Sequence, residues 1–291
     1  MIAITGATGQ LGRLVIEQLL QNIPANQLIA LVRNPAKASD LQARGLQVRA
    51  ADYTQPAALE AALQGVEKLL LISSSEVGQR LEQHRNVVAA AKKSGVRLLA
   101  YTSILNAQDS QMDLAHEHRE TEQLIKASGI PFILLRNGWY TENYTAGIPT
   151  ALQFNVLLGS AGDGKISLAA RADYAAAAAK VLVRDDQAGK IYELAGDAAY
   201  TLADFAAELS RQTGKQIPYN NLPEAEYRGI LQNAGLPDWL ASLLASSDAS
   251  AAQGALFDES HQLSQLIGRA TTPLADTIRT ALAAGATAAA H

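Results

Sequence analysis

Short apolar runs alternate along the chain with segments in which apolar residues recur every three or four positions. That alternation predicts strands and helices in turn. Residues 1–5 are apolar and stop at Gly6, which predicts a short buried strand. Over residues 10–22, Leu11, Leu14, Val15, Ile16, Leu19 and Leu20 fall on one stripe, predicting an amphipathic helix that ends before Pro24. Further strands are predicted at 28–32, 46–50, 68–73, 97–102, 132–136 and 191–194, with helices near 36–44, 56–64, 79–94, 113–128 and 171–183. Connections of this kind are crossovers, so the strands pair in parallel and helices cover both faces. Near-continuous apolar strands, such as Leu69, Leu70, Leu71 and Ile72, fit burial on both sides. The fold class expected is α/β, a doubly wound parallel sheet with a smaller, mostly helical C-terminal lobe.

The domain organisation follows from where the pattern changes. Residues 1–136 are expected to form the sheet domain, and residues 137–291 a substrate-binding lobe over its carboxyl edge. A segment of about 171–195 within that lobe should return to the sheet. After Gly196 the sequence predicts short helices, among them 202–212 and 225–233. The Ser- and Ala-rich stretch 246–253 predicts a loop, and the Ala-rich residues 281–291 a frayed tail. There is no repeat of solenoid length.

The junction of the first strand and first helix reads Thr5, Gly6, Ala7, Thr8, Gly9, Gln10, Leu11, Gly12. Gly6 permits a tight turn, Gly9 lets backbone approach a pyrophosphate, and Gly12 lets helix and strand pack closely. The helix start adds free N–H groups and a positive dipole end. Gly6 to Gly12 therefore predict dinucleotide binding on a Rossmann-type domain. At the end of the second strand an NAD site places a carboxylate about 20 residues on. Here that position holds Arg33, and no carboxylate occurs from Gln27 through Ser39. A guanidinium there suits a 2′-phosphate, so NADPH is expected rather than NADH, with Lys37 in support. The alternative is a solvated loop arginine. Asp52 either accepts from the adenine amino group or caps a helix ahead of Pro56. Ser73, Ser74 and Ser75 either bond the nicotinamide-side ribose or close their loop.

Composition narrows the function. The chain has 291 residues, 48% of them hydrophobic and 18% charged; 24 Lys and Arg against 28 Asp and Glu leave a net charge of −4. That balance gives no electrostatic reason to expect a nucleic-acid partner. Cysteine is absent, which excludes disulfides, thiol catalysis and cysteine-ligated metal centres. No apolar run reaches membrane-spanning length and no secretory leader pattern stands at the amino terminus, so a cytoplasmic protein is expected. There is no G-x-S-x-G elbow of a serine hydrolase. His116 and His118 point apart on a helix, so no metal site is expected. Flanked by Glu117, Arg119 and Glu120, both read as part of a solvated face, the alternative being a polar group that serves the reaction as a hidden acid.

The glycine motif, Arg33 and the segment Leu135, Arg136, Asn137, Gly138, Trp139, Tyr140 resemble the atypical, NmrA-like short-chain dehydrogenase/reductases. Within that group, residues 69–80 and 161–166 most resemble bacterial type 2 NADPH:quinone oxidoreductases, and the likeness runs over essentially the whole chain. Triphenylmethane reductases and NmrA-like redox-sensing regulators are more distant. The resemblance implies NADPH contacts from the glycine loop, Arg33, Ser73 to Ser75, Asn137, Gly138, Trp139, Tyr140, Thr141, Glu142 and Arg171. Asn137 offers a donor and an acceptor suited to a carboxamide, and Tyr140 can cover a nicotinamide ring. Arg171 either holds a phosphate or pairs with Asp173.

One expected feature is missing. Typical short-chain dehydrogenases use a Tyr-x-x-x-Lys pair, the lysine lowering the tyrosine's pKa for proton transfer. None of the nine tyrosines here has a lysine four residues on, and by resemblance the pair's place falls at Leu114 and His118. Hydride delivered to an aliphatic ketone makes a strongly basic alkoxide, which needs an acid. Delivered to a quinone, it makes a phenolate-like anion with a pKa of about 10, which water can protonate. The expected function is two-electron reduction of a small-molecule quinone by NADPH, without flavin. Tyr140 and Asn143 are the candidate catalytic residues, orienting the quinone carbonyl; for Asn143 the alternative is a surface amide. Thr102 and Ser103 either bond substrate or finish their strand. An NADP(H)-sensing regulator and a triarylmethane dye reductase are the competing functions, and a homo-oligomer is left open.

Overall fold

The computed structural model describes residues 1–289. In chain order it forms β1 (Ile2–Ile4), α1 (Gln10–Leu20), β2 (Leu28–Val32), α2 (Ser39–Ala43), β3 (Gln47–Ala50), α3 (Pro56–Ala62), β4 (Lys68–Leu71), α4 (Arg80–Lys93), β5 (Leu98–Ile104), α5 (Asp113–Ser128) and β6 (Phe132–Asn137). Then come α6 (Thr141–Thr145), α7 (Ile148–Phe154), β7 (Leu157–Gly159), α8 (Arg171–Val183), β8 (Ile191–Leu194), α9 (Leu202–Thr213), β9 (Tyr219–Asn221), α10 (Glu224–Asn233), α11 (Asp238–Ala252), α12 (Gln262–Ile267) and α13 (Leu274–Ala289). The chain divides into two units. The first holds residues 1–108, 114–137 and 172–194; the second holds 109–113, 138–171 and the chain from 195 onward.

The first unit is a seven-stranded sheet in the order β3-β2-β1-β4-β5-β6-β8, every pair parallel. Strand order reverses between β1 and β4, which makes the carboxyl ends of those two strands the topological switch point, where ligands of such sheets bind. Burial follows position in the sheet. The central strands β1, β2 and β5 are buried along their whole length. The edge strands β3 and β8 are partly exposed. Ala3, Ile29, Leu31, Leu69, Leu71, Val87, Leu99 and Leu134 share one cluster. Each Leu or Ile in it contributes about 1.5–3 kcal/mol by leaving water.

The second unit is mostly helical, as expected, and departs from the sequence reading in three places. The stretch read as a loop at 246–253 is helical through Ala252, because its small residues are what the packing demands. Ala241, Ala245, Ser247, Asp248 and Ala251 are all buried on α11, and a Cβ added at Gly164 would meet Ala251 O at 2.4 Å. The tail read as frayed is helical as far as Ala289, in keeping with alanine's high helix propensity. Ala290 and His291, the end of that stretch, lie outside the described residues. Finally, β7 and β9 pair in parallel over three residues each, too short a run for any alternation to announce.

Candidate functional site

The glycine loop occupies the switch point. Gly6 adopts φ +57°, and its carbonyl accepts the Gly9 N–H at 2.9 Å, closing a tight turn. A Cβ at Gly12 would meet Gly6 O at 2.3 Å and Ala7 Cα at 2.9 Å, so only glycine lets α1 start this close to the strand. Beside the loop lies a cleft of about 310 Å³. It is bordered by the loop from Gly6 to Gly12 apart from Ala7, by Arg33, and by Ser73 to Ser75. Ala7 is fully buried instead, its N–H directed at Leu31 O. The cleft thus brings together three of the predicted groups of side chains, all within the first unit.

The segment from Ile72 to Glu76, which also lines the cleft, owes its shape to side chains. The Ile72 N–H donates to Thr5 Oγ1 at 2.9 Å, the Ser73 N–H to Thr102 Oγ1 at 2.9 Å and the Ser74 N–H to His84 Nε2 at 2.9 Å. Tyr53 donates its hydroxyl to Ile72 O at 3.0 Å, and Arg80 Nε donates to Ser74 O at 2.7 Å. Backbone groups of a loop must find partners somewhere. Here residues from four different elements or junctions supply them, which holds Ser73 to Ser75 in one conformation.

His84 is held in a single tautomer. Because its Nε2 accepts from Ser74, the ring proton sits on Nδ1 and goes to Thr121 Oγ1 at 3.0 Å. Thr121 in turn donates to Glu117 O at 2.8 Å. Burial and the nearby Arg80 charge push the His84 pKa down to about 3, so the imidazole is neutral. His118 corrects the sequence reading. It is not on a solvated face but buried, with Nδ1 2.7 Å from the Tyr101 hydroxyl, and burial holds its pKa well below the usual range. His116 is exposed as expected.

Asp52 borders the cleft and accepts from Thr54 N at 2.9 Å and Thr54 Oγ1 at 2.7 Å, which hold its carboxyl low. It is not the helix cap, since Gln55 precedes α3. Thr102 and Ser103 do not end their strand; Ser103 Oγ donates to the buried Glu122 at 2.6 Å. Glu122 also receives Arg136 through Nε at 2.9 Å and through a second nitrogen at 2.7 Å. Arg136 reaches Glu193 as well, at 2.7 Å. Next to this network, Asn137 ends β6 with its carbonyl accepting the Leu105 N–H at 2.9 Å. Its side-chain Oδ1 is buried without a hydrogen-bond partner.

In the second unit the chain from Gly138 is fixed against the segment before α8. Tyr140 pairs with Ala169, and the Thr141 N–H donates to Ala169 O at 3.0 Å. Trp139 and Thr141 are buried, while Tyr140, Glu142 and Asn143 are half-buried. Both carboxylate oxygens of Glu142 accept the Arg171 N–H, each at 3.0 Å. Glu142 therefore serves the backbone here. The Arg171 guanidinium lies 4.7 Å from the centre of the Tyr140 ring, a cation–π contact rather than the Asp173 pairing considered above. Asn143 sits within α6.

The fit of a dinucleotide can be judged from these atoms. The glycine loop would receive the pyrophosphate on backbone that a Cβ would obstruct, and the unpaired Asn137 Oδ1 would accept a carboxamide N–H. Residues 6–185 match the NAD(P)H-binding family. The chain belongs to that family. Among its relatives is quinone oxidoreductase 2 of Escherichia coli, 60% identical over 96% of this chain and 97% of the other. The crystal structure of the Escherichia coli NADPH-dependent quinone oxidoreductase with NADPH superposes with a TM-score of 0.95, covering 96% and 99% of the two chains. Citrobacter sp. triphenylmethane reductase with NADP(H) is 39% identical, with a TM-score of 0.94 over 97% of this chain and 100% of that one.

As a member of the NAD(P)H-binding family, the chain carries two sets of residues that its sequence did not announce. Tyr53 and His84 shape the cleft without lying in any motif, and Thr5 and Arg80 do so from within segments named above, in a role those segments did not signal. The burial of His118 had a signal, since Ala115, His118, Glu122 and Ile125 recur at helical spacing. The charged neighbours masked it. Among the described residues there is no cluster of His, Asp and Glu able to hold a metal, and no helix is long and apolar enough to cross a membrane.

Proposed function

We propose that this chain is an NADPH-dependent quinone oxidoreductase that reduces a small-molecule quinone to the hydroquinone in one two-electron step. The observation that carries the proposal is the pairing of a dinucleotide cradle with a place for the usual acid that cannot act. Leu114 stands where the tyrosine would be. His118, where the lysine would be, is buried against Tyr101 and neutral. A product that is only phenolate-like needs no such acid. The relationship to the Escherichia coli quinone oxidoreductase supports the same acceptor class.

NADPH bound in the cleft supplies the hydride. The chain's own contribution is binding and orientation. The glycine loop and α1 start cradle the pyrophosphate, and Arg33 pairs with the 2′-phosphate. Ser73 to Ser75 take the ribose, and Asn137 holds the carboxamide. Tyr140 and Asn143 orient the quinone carbonyl, with Arg171 keeping the Tyr140 ring in place. Neither flavin nor metal has a role, and the cytoplasm is the location in keeping with this chemistry. The test is reduced-nicotinamide oxidation by purified, flavin-free protein, with simple benzoquinones and then a triarylmethane dye as acceptors. Fast quinone-dependent turnover supports the proposal. Turnover only with the dye, or tight NADPH binding without turnover, overturns it.

A further inference from the structure

Arg33 faces a carboxylate across the cleft. Its guanidinium donates to Glu76 Oε1 at 2.7 Å, and both residues border the space where the dinucleotide would lie. The Glu76 carboxylate is set from behind. Its Oε2 accepts from Gln83 Nε2 at 2.7 Å, and Gln83 is only 6% exposed. The Glu76 N–H donates to Ser74 Oγ at 3.1 Å, and that hydroxyl donates to Gln83 Oε1. The carboxylate is therefore tethered to the protein through Gln83, whereas the Arg33 side chain is the more exposed of the pair, 73% against 44%. Asp52 adds a second negative charge near Arg33.

This arrangement bears on which dinucleotide the site prefers. A 2′-phosphate brought to Arg33 must displace the Glu76 carboxylate or share the guanidinium with it, and the two anions repel. A 2′-hydroxyl meets no such opposition, and an acidic group nearby is what the sites of unphosphorylated dinucleotides supply. The β2 end lacks that acid; the segment after β4 provides one. We propose that Glu76 is a specificity-determining residue that restrains the preference for NADPH and lets the site accept NADH as well. The proposal rests on the reading that Arg33 meets the 2′-phosphate.

The test compares dissociation constants for NADPH and NADH, by quenching of protein fluorescence, in the wild type, Glu76→Gln, Arg33→Ala and the double variant. Glutamine keeps the hydrogen bond to Gln83 and removes only the charge. Breaking an exposed ion pair of this kind is worth up to about fivefold. Glu76→Gln should therefore tighten NADPH about three- to fivefold, leave NADH unchanged or weaker, and have less than about a twofold effect on their ratio once Arg33 is alanine. Equal weakening of both dinucleotides by Glu76→Gln would overturn the proposal, since Glu76 would then be closing over the ligand rather than competing with it. An unchanged ratio would overturn it too, while a selective loss of NADPH in Arg33→Ala would leave the Arg33 reading standing. Equal weakening of both dinucleotides by Arg33→Ala would overturn the Arg33 reading and the proposal together.

Discussion

His84 Nε2 accepts the backbone N–H of Ser74 at 2.9 Å, joining the buried face of α4 to a wall of the nucleotide cleft. The ring is neutral and its other nitrogen is engaged by Thr121. His84 does not itself line the cleft; it positions the segment that does. Replacing it with alanine leaves the Ser74 amide without its acceptor, at a cost of about 1–3 kcal/mol. His84→Ala should raise the KM for NADPH about tenfold or more with a smaller change in kcat. His84→Gln, whose amide can accept from Ser74 and donate to Thr121, should recover most of the loss. Thermal unfolding of both variants separates this from general destabilisation, because the KM effect should persist at temperatures where both remain folded.

Gly12→Ala addresses the cradle itself. The new methyl would sit 2.3 Å from Gly6 O, so the loop or the start of α1 must shift. NADPH binding should weaken by about tenfold or more, in line with a cost of about 1.4 kcal/mol per factor of ten. Titration of NADPH against the variant measures it. Undiminished affinity would mean that the pyrophosphate does not rest on this loop.

Asn137→Leu tests the carboxamide. The substitution removes a buried acceptor that has no partner in the protein, so the fold should be unharmed or slightly more stable. If Asn137 holds the carboxamide as proposed, turnover should fall at least about tenfold, since the nicotinamide would lose a hydrogen bond that orients it. Steady-state kinetics and an unfolding curve on the same preparation read both arms.

The buried histidines set an acid limit on stability. The His84 pKa is pushed down to about 3 and that of His118 well below its usual range, mainly by burial. An unfolded chain binds these protons near pH 6.5 and the folded chain does not. Stability is therefore full above about pH 6.5 and falls as the pH drops below it, by about 1.4 kcal/mol per pH unit for each histidine. Urea unfolding between about pH 7 and pH 5 should show that slope, and His84→Gln should reduce it by about one proton.

Most of the sheet could be read from the chain because its strands are buried on both faces and its crossovers are short. β2 and β8 fall where the apolar runs place them, and α5 spans its expected range. The glycine loop was legible because backbone geometry demands glycine at fixed spacing. What could not be read depends on contacts distant in sequence. Arg80 and His84 matter only because α4 lies under the segment following β4. His118 looked solvated because Glu117, Arg119 and Glu120 surround it in sequence, though only one helix face counts. Residues 246–253 looked like a loop because Ser and Ala are ambiguous until Gly164 is known to lie against Ala251.

The proposed reaction is direct hydride transfer from NADPH to a quinone without an acid from the protein. Single-turnover oxidation of NADPH deuterated on one face of nicotinamide C4, by flavin-free protein and excess benzoquinone, tests it most directly. Direct transfer should give a primary isotope effect from one face alone, a full equivalent of hydroquinone per NADPH, and a rate insensitive to pH across the neutral range. An absence of isotope effect from either face, or semiquinone as the first product, would contradict it.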